Sequence, residues 1–367
     1  MQGLKQLQPD VQFSGIGGPL MMAEGMESLF PMDELSLMGI AEILPKYRHL
    51  KRRIAQTAEQ VVKEKPDVLI TIDSPDFCLR VARLVKEWSD IRTVHYVAPT
   101  VWAWRPGRAA KMAKMIDQVL ALFPFEPPFM EAEGMRCDFV GHPVVAEPVA
   151  TDAEVLQFRE AHGLGDQPLL LVLPGSRRGE VSRLAPIFGE VLGQVMQQRP
   201  DLRLVLPAAG PVAALVKDLT ADWTHPPLIL DPKDKPPHAA LIEKRAAFRA
   251  ADVALAASGT VSLELAASGT PMVIAYDMSW LSRQIISRML RTDTVTLVNL
   301  VSETRVVPEF IGADCQPDRI APALLQLMED PQAQQQAMAL TMERLGLGGE
   351  APGLRAAKAV LDGLGRA

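Results

Sequence analysis

Leu169-Leu-Leu-Val-Leu-Pro-Gly-Ser-Arg-Arg-Gly-Glu180 is the stretch that decides the fold. Its aliphatic run reads as a strand covered on both faces, as strands of parallel sheets are. Pro174-Gly175 stops the run, and Ser176 and Arg177 lead into a helical pattern. Strand, glycine turn and helix in that order are the layout for an anion at a helix N-terminus. Gly permits the tight turn, Ser caps the helix or donates to an oxyanion, and Arg supplies a planar cationic fork. An ordinary strand-turn-helix with a capping Ser explains the segment equally well.

The same alternation runs outward in both directions. Strand-like runs are expected at 11–16, 68–72, 93–97, 119–122 and 138–140 in the first part, and at 169–173, 203–206, 228–230, 253–257, 272–275 and 295–298 in the second. Helical patterns separate many of them, so the fold class is α/β, with two Rossmann-like domains built on parallel sheets. The boundary falls after His142-Pro143, where a Pro-containing stretch lacks pattern and a new helix starts near Thr151-Asp152. The domains are then 1–147 and 148–367, the second ending in terminal helices broken at Gly346, Gly349 and Pro352.

With 367 residues and 48% hydrophobic content there is chain enough for two cores without disulfide or metal staples. Apolar runs fall far short of the roughly 20 residues a spanning helix needs. The formal charge of −6 argues against a general nucleic-acid binder. Cys78, Cys137 and Cys315 are far apart and read as buried spectators. Met1 to Asp10 is polar and lacks the apolar core of a signal peptide, so the cytoplasm is the expected location. No Asp-x-Asp triplet and no His pair at ligand spacing occurs, so neither a metal nor a cofactor is expected.

A second anion-ready turn lies in Val253-Ala-Leu-Ala-Ala-Ser-Gly-Thr-Val-Ser-Leu-Glu264. The backbone N–H groups of Ser258, Gly259 and Thr260 open a helix whose dipole adds about half a positive charge there. A diphosphate is the obvious guest, and Glu264, one turn on, can reach a ribose diol. The bland alternative is a capped helix with an exposed Glu. In the first domain Asp73 and Asp76 of Ile70-Thr-Ile-Asp-Ser-Pro-Asp-Phe77 follow a buried strand, where open α/β sheets bind ligands. A carboxylate there suits a general base, or else simply caps the next helix. Trp102 and Trp104 beside Arg105 suit a ligand edge or core packing equally, and His95 within a strand reads as a satisfied buried histidine. Ser14-Gly-Ile-Gly-Gly-Pro19 is too incomplete for a dinucleotide fingerprint. Lys46-Tyr-Arg-His-Leu-Lys-Arg-Arg-Ile54 and Trp280-Leu-Ser-Arg-Gln-Ile-Ile-Ser-Arg-Met-Leu-Arg291 carry basic and apolar residues and no acid, fit for a lipid surface or for a solvated helix face.

Taken in order, these segments resemble the lipid-A-disaccharide synthases. The resemblance is carried by Gly15-Ile-Gly-Gly-Pro19, Met38-Gly-Ile-Ala-Glu42, Ile72-Asp-Ser-Pro-Asp-Phe77, His95-Tyr-Val-Ala-Pro-Thr-Val-Trp-Ala-Trp104, Leu122-Phe-Pro-Phe-Glu126, Phe139-Val-Gly-His-Pro143, Leu173-Pro-Gly-Ser-Arg177 with Glu180, Ala257-Ser-Gly-Thr260 with Glu264, Pro271-Met-Val273, and Asn299-Leu300 with Val307-Pro-Glu309. Each is weak alone, but the ordered set spans nearly the whole chain.

The resemblance implies the GT-B arrangement of an acceptor domain and a UDP-sugar domain, with chemistry in the cleft between them. It implies an inverting transfer from UDP-2,3-diacylglucosamine to 2,3-diacylglucosamine 1-phosphate, giving a β-1,6-linked disaccharide and UDP. Asp73 would be the base. Ser176, Arg177, Glu180, Ser258, Gly259, Thr260, Glu264 and Asn299 would hold substrate. The partners implied are these acylated sugars and the inner face of the inner membrane, bound peripherally, with a second copy of the chain left open and no nucleic acid.

Members of the family open with a strand and a Gly-Glu-x-Ser-Gly-Asp turn that this sequence lacks. The N-terminal domain is therefore expected to miss its first strand, and the chain as written to be poorly active or unstable. The alternatives are another UDP-sugar enzyme, of the peptidoglycan-precursor transferase or 2-epimerase type, and a remnant that binds UDP or lipid without turnover.

Overall fold

A computed structural model describes residues 1–35, 40–102, 107–278 and 292–365, with the side chains of 40–46 outside the description. The chain divides into two compact units: Met1–Pro143 together with Gly348–Ala367, and Val144–Leu347.

In the first unit the helices α1 (Gln2–Leu7), α2 (Pro19–Ala23) and α3 (Ile40–Glu64) precede the sheet. Strands β1 (Val68–Ile72), β2 (Arg92–Tyr96), β3 (Gln118–Ala121) and β4 (Arg136–Phe139) then alternate with α4 (Pro75–Trp88), α5 (Gly107–Met112) and α6 (Pro127–Glu131). The four strands are parallel and lie in chain order. Helices α4, α5 and α6 pack on the sheet in one cluster that joins Ala82, Ala109, Met112 and Met130 to Val119 of β3. A smaller cluster of Ile54, Ala58, Val81 and Val85 joins α3 to α4.

The stretch 11–16 does not form the expected strand. Gly15 makes a single bridge to Ser28, and the glycines at 15, 17 and 18 with Pro19 interrupt any ladder.

The second unit holds α7 (Asp152–Ala161), β5 (Leu169–Leu173), α8 (Arg178–Gln198), β6 (Arg203–Pro207), α9 (Ala213–Thr220), β7 (Leu228–Leu230), α10 (Pro237–Ala250), β8 (Val253–Ala256), α11 (Val261–Ser268), β9 (Met272–Tyr276) and β10 (Glu309–Ile311). Helix α7 starts where the sequence places it, at a capping box in which Thr151 Oγ1 accepts the Glu154 N–H and Glu154 accepts the Thr151 N–H. The six-stranded parallel sheet has the order β10-β9-β8-β5-β6-β7. Every residue of β5 and β8 is buried, which is why both read as unbroken apolar runs. The core joins them to α8 through Val181, Leu184, Phe188 and Leu192.

Two expectations are corrected here. Residues 295–298 are not a strand. The Glu309 carboxylate accepts the N–H groups of Val295 and Thr296 at 3.0 and 2.6 Å, and the chain turns into the helix Leu297–Ser302. The strand beside β9 is instead β10. The terminal helix Pro352–Gly363, assigned from sequence to the second domain, packs in the first unit. There Gln118 donates to the Ala359 carbonyl at 2.9 Å, Arg355 donates to the Phe139 carbonyl at 2.7 Å, and Arg136 pairs with Asp362. Its apolar stripe, Ala357, Val360 and Leu361, is buried there.

Candidate functional site

In the second sheet the connections run from β5 outward through β6 to β7, then return to β8 and proceed the other way. The strand order therefore reverses between β5 and β8. Open α/β sheets bind ligands at such a switch point, beyond the carboxyl ends of the strands. The two turns singled out in the sequence follow these two strands. Both belong to one cavity of 740 Å³, walled by the ends of β5, β6, β7 and β8 and by α10.

The local backbone explains the turn residues. Gly175 has φ of 115° and Gly259 of 146°, both left-handed, where a side chain is strained. At Gly175 a Cβ would also sit 2.8 Å from Cβ of Glu180. Ser176 does not cap α8, as the sequence had suggested: the N-cap is Arg177, and no side chain caps this helix or α11. Neither helix start is covered by a capping side chain, while the N–H groups of Glu180, Ser262 and Leu263 close on the carbonyls of Arg177, Gly259 and Thr260.

Ser176, Arg177, Glu180, Ser258, Gly259, Thr260 and Glu264 all line the cavity. Glu180 turns onto the α8 start, pairing with Arg177 at 2.8 Å and accepting the Ser176 N–H at 3.4 Å. Glu264 pairs with Lys244 of α10 at 2.5 Å. Sequence reading missed Lys244, because nothing in its own helix marks it and its partner lies on another element.

Asn299 stands apart from the cavity lining. It is 1% exposed, and its amide is engaged with Val307, donating to the carbonyl at 2.9 Å and accepting the N–H at 3.0 Å. In this structure its side chain holds the bend before β10.

In the first unit Asp73 follows β1 at φ of 46°, and its N–H donates to the Tyr96 carbonyl at 3.0 Å. Ser74 at 42° and Val97 at 81° share the left-handed region. For a β-branched residue such as Val97 this is an outlier, and strained backbone of this kind collects at functional sites. Asp76 lies in the first turn of α4, 92% exposed and 3.9 Å from Arg108.

His95 is buried, as its strand position suggested. Its Nδ1 lies 2.7 Å from Thr71 Oγ1, and that hydroxyl donates to the Val94 carbonyl. The Thr71 hydroxyl thus bridges His95 Nδ1 and the Val94 carbonyl. Burial lowers the His95 pKa to about 4.

Glu126 was also not singled out from residue type or spacing. It is 2% exposed, accepts the N–H groups of Leu122 and Phe123 at 3.0 Å each, and burial pushes its pKa up to about 7. Around it Phe123 stacks on Phe125, and Trp102 meets Phe125 edge-on. Trp104 and Arg105 lie outside the described residues.

Of the two basic stretches, 280–291 lies outside the described residues. In the other, Arg53 and His49 are paired with Glu34, holding that carboxyl down at about 2, whereas Arg48, Lys51 and Arg52 are exposed. Exposed apolar side chains occur in the same part of the chain: Leu20 (86%), Met22, Met32 and Tyr47. Among the described residues no helix is long and apolar enough to cross a membrane.

Comparison with known proteins fits this geometry. The chain is similar over its whole length to the UDP-GlcNAc 2-epimerase of Neisseria meningitidis solved with UDP-GlcNAc bound, with a TM-score of 0.61 at 14% identity, covering 100% of this chain and 95% of that one. At that identity the likeness concerns the fold alone. In sequence, it is 65% identical over 364 residues to a lipid-A-disaccharide synthase of Ruegeria pomeroyi, covering 99% of this chain and 91% of the relative. It is 45% identical to that of Rhodospirillum centenum over 97% and 88%. The family model for lipid-A-disaccharide synthetase matches residues 1–358. On this match and these identities, the chain belongs to the lipid-A-disaccharide synthase family.

Proposed function

We propose that the cavity of the second unit holds the uridine diphosphate of a UDP-linked 2,3-diacylglucosamine. In this reading Asp73 of the first unit serves as base toward 2,3-diacylglucosamine 1-phosphate. The enzyme is a glycosyltransferase of lipid A biosynthesis. The acceptor hydroxyl gives its proton to Asp73 while its oxygen bonds to the anomeric carbon of the donor. The bond from that carbon to the diphosphate breaks, and the electron pair stays on the departing phosphate oxygen. Attack opposite the leaving group inverts the anomeric centre and gives the β-1,6 link.

The developing charge falls where fixed donors cost no reorganisation. Arg177, the Ser176 and Ser258 hydroxyls and the N–H groups of Gly259 and Thr260 are those donors. Glu264 takes the ribose diol. Arg177 has first to exchange Glu180 for the phosphate. The observation that carries this reading is the pair of helix starts, neither capped by a side chain, over one switch-point cavity. Asp73 is favoured over Asp76 because its backbone is held in a strained conformation, whereas Asp76 points to solvent beside Arg108.

Acyl chains on both substrates call for work at a lipid surface. Exposed Leu20, Met22, Met32 and Tyr47, with Arg48, Lys51 and Arg52, suit an interface with anionic headgroups. The 2-epimerase reading loses to the synthase reading because the likeness to epimerases stops at fold level while that to synthases reaches 65% identity.

The test is turnover of acylated donor and acceptor, with UDP release followed. Conversion by the wild type, its loss in Asp73→Ala and its retention in Asp76→Ala are expected. Full rate in Asp73→Ala removes Asp73 as base, and a wild type that binds no UDP removes the nucleotide assignment.

A further inference from the structure

Lys244 projects from α10 into the wall of the second-unit cavity. Its ammonium lies 2.5 Å from Glu264 Oε2 and 5.1 Å from the centre of the Phe248 ring. Phe248 is 2% exposed, so a fixed ring steers the lysine toward the carboxylate. Both charged side chains are 42% exposed, and ion pairs so open to water add little to stability. The pair therefore asks for a reason other than folding.

The electrostatics of the turn supply one. Glu264 lies in the first turn of α11, and the 258–260 segment that leads into this helix lines the same cavity. A carboxylate placed to accept from a diol there repels any diphosphate bound over the same helix start. The other acids in the wall have their own cations, Glu180 with Arg177 and Glu243 with Lys235.

We infer that Lys244 is the counter-ion that lets a diol-binding carboxylate and a diphosphate share one helix start. It makes the cavity selective for a nucleoside diphosphate over the bare nucleoside. This rests on the nucleotide reading of the cavity given above. Lys244 acts through Glu264, so it is a positioning and specificity residue rather than a catalytic one.

Calorimetric titration of the full chain with UDP and with uridine tests it. Two charges several ångströms apart in a half-exposed site predict that Lys244→Met weakens UDP about tenfold. Uridine, which has no phosphate to repel, changes by less than about twofold on the same reasoning. Lys244→Arg keeps the wild-type preference. In a Glu264→Gln background the carboxylate charge is gone, and Lys244→Met then has little further effect on UDP, a coupling that a double-mutant cycle isolates.

Three results overturn the inference while leaving UDP binding by the wild type intact. They are unchanged UDP affinity in Lys244→Met, equal weakening of UDP and uridine, and a full Lys244→Met effect that persists with Glu264→Gln. A wild type that binds neither ligand overturns instead the nucleotide reading on which the inference rests.

Discussion

The turns that end β5 and β8 and those that end β1 and β2 sit at equivalent places on two parallel sheets but are made differently. In the second unit the left-handed positions are glycines, Gly175 and Gly259, which take that conformation without penalty. In the first unit they are Asp73, Ser74 and Val97, which do not. The cores differ in the same sense. The second unit packs β5, β8 and α8 into one large apolar cluster. Among the described residues the clusters of the first are smaller, and His95 and Glu126 are buried there. A relaxed backbone on a large core suits a ligand bound the same way each cycle. Strained backbone and displaced pKa values suit proton transfer, where geometry and charge have to be held away from their resting preferences.

The largest effect expected of this contrast is at Asp73. Asp73→Asn keeps the shape and removes the base, so turnover should fall by about 10²–10⁴-fold while UDP binding is unchanged. Weakened UDP binding in that variant would break the division of labour between the units.

Next is Glu126. Its folded-state pKa of about 7 lies above the ordinary 4.5. The stability it contributes is therefore complete below pH 4.5 and is lost as pH rises through 7. Glu126→Gln removes that slope. Between pH 5 and pH 8 the wild type should lose on the order of 2–3 kcal/mol relative to the variant, read from urea melts at each pH. Parallel pH profiles for the two proteins would show that the carboxyl is not perturbed.

Gly175→Ala adds a strained φ and a clash with Glu180. It should cost about 1–3 kcal/mol, seen in melting temperature and in weaker UDP binding, and Glu180→Ala in the same chain should recover only the part due to the carboxylate, because its Cβ stays in place. The smallest effect sharpens the comparison from the other side. Val97→Gly relieves a left-handed valine, and the gain is offset by the freedom glycine adds to the unfolded chain. Stability should move by no more than about 1 kcal/mol. If the strain positions the Asp73 loop, kcat falls while stability holds.

Much of this was legible from residue order. The strands β5 and β8 show as unbroken aliphatic runs because both faces are buried, and the turns after them show as glycine because the backbone bends left-handed there. The start of α7 near Thr151 is set by local chemistry and reads at the right place, while the capping box with Glu154 shows in the structure. Misreadings fall where a distant residue overrides the local pattern. The run 295–298 looks extended, but Glu309 takes its N–H groups and turns it into a helix. Asn299, which the resemblance implies as a substrate contact, has its amide held by Val307 from eight residues away. Ser176 looks like a cap, yet the helix begins one residue later.

By itself the sequence determined the α/β class, the family, the two anion-ready turns and the candidate base, because strand runs, glycine bends and helix starts depend on neighbours a few residues apart. Only the tertiary structure decided that the terminal helix packs in the first unit, that Lys244 reaches Glu264 across twenty positions, and that Glu126 is shut away from water. Those outcomes depend on which surfaces pack together, and a side chain's charge state and partners are set by the burial and distances that packing creates.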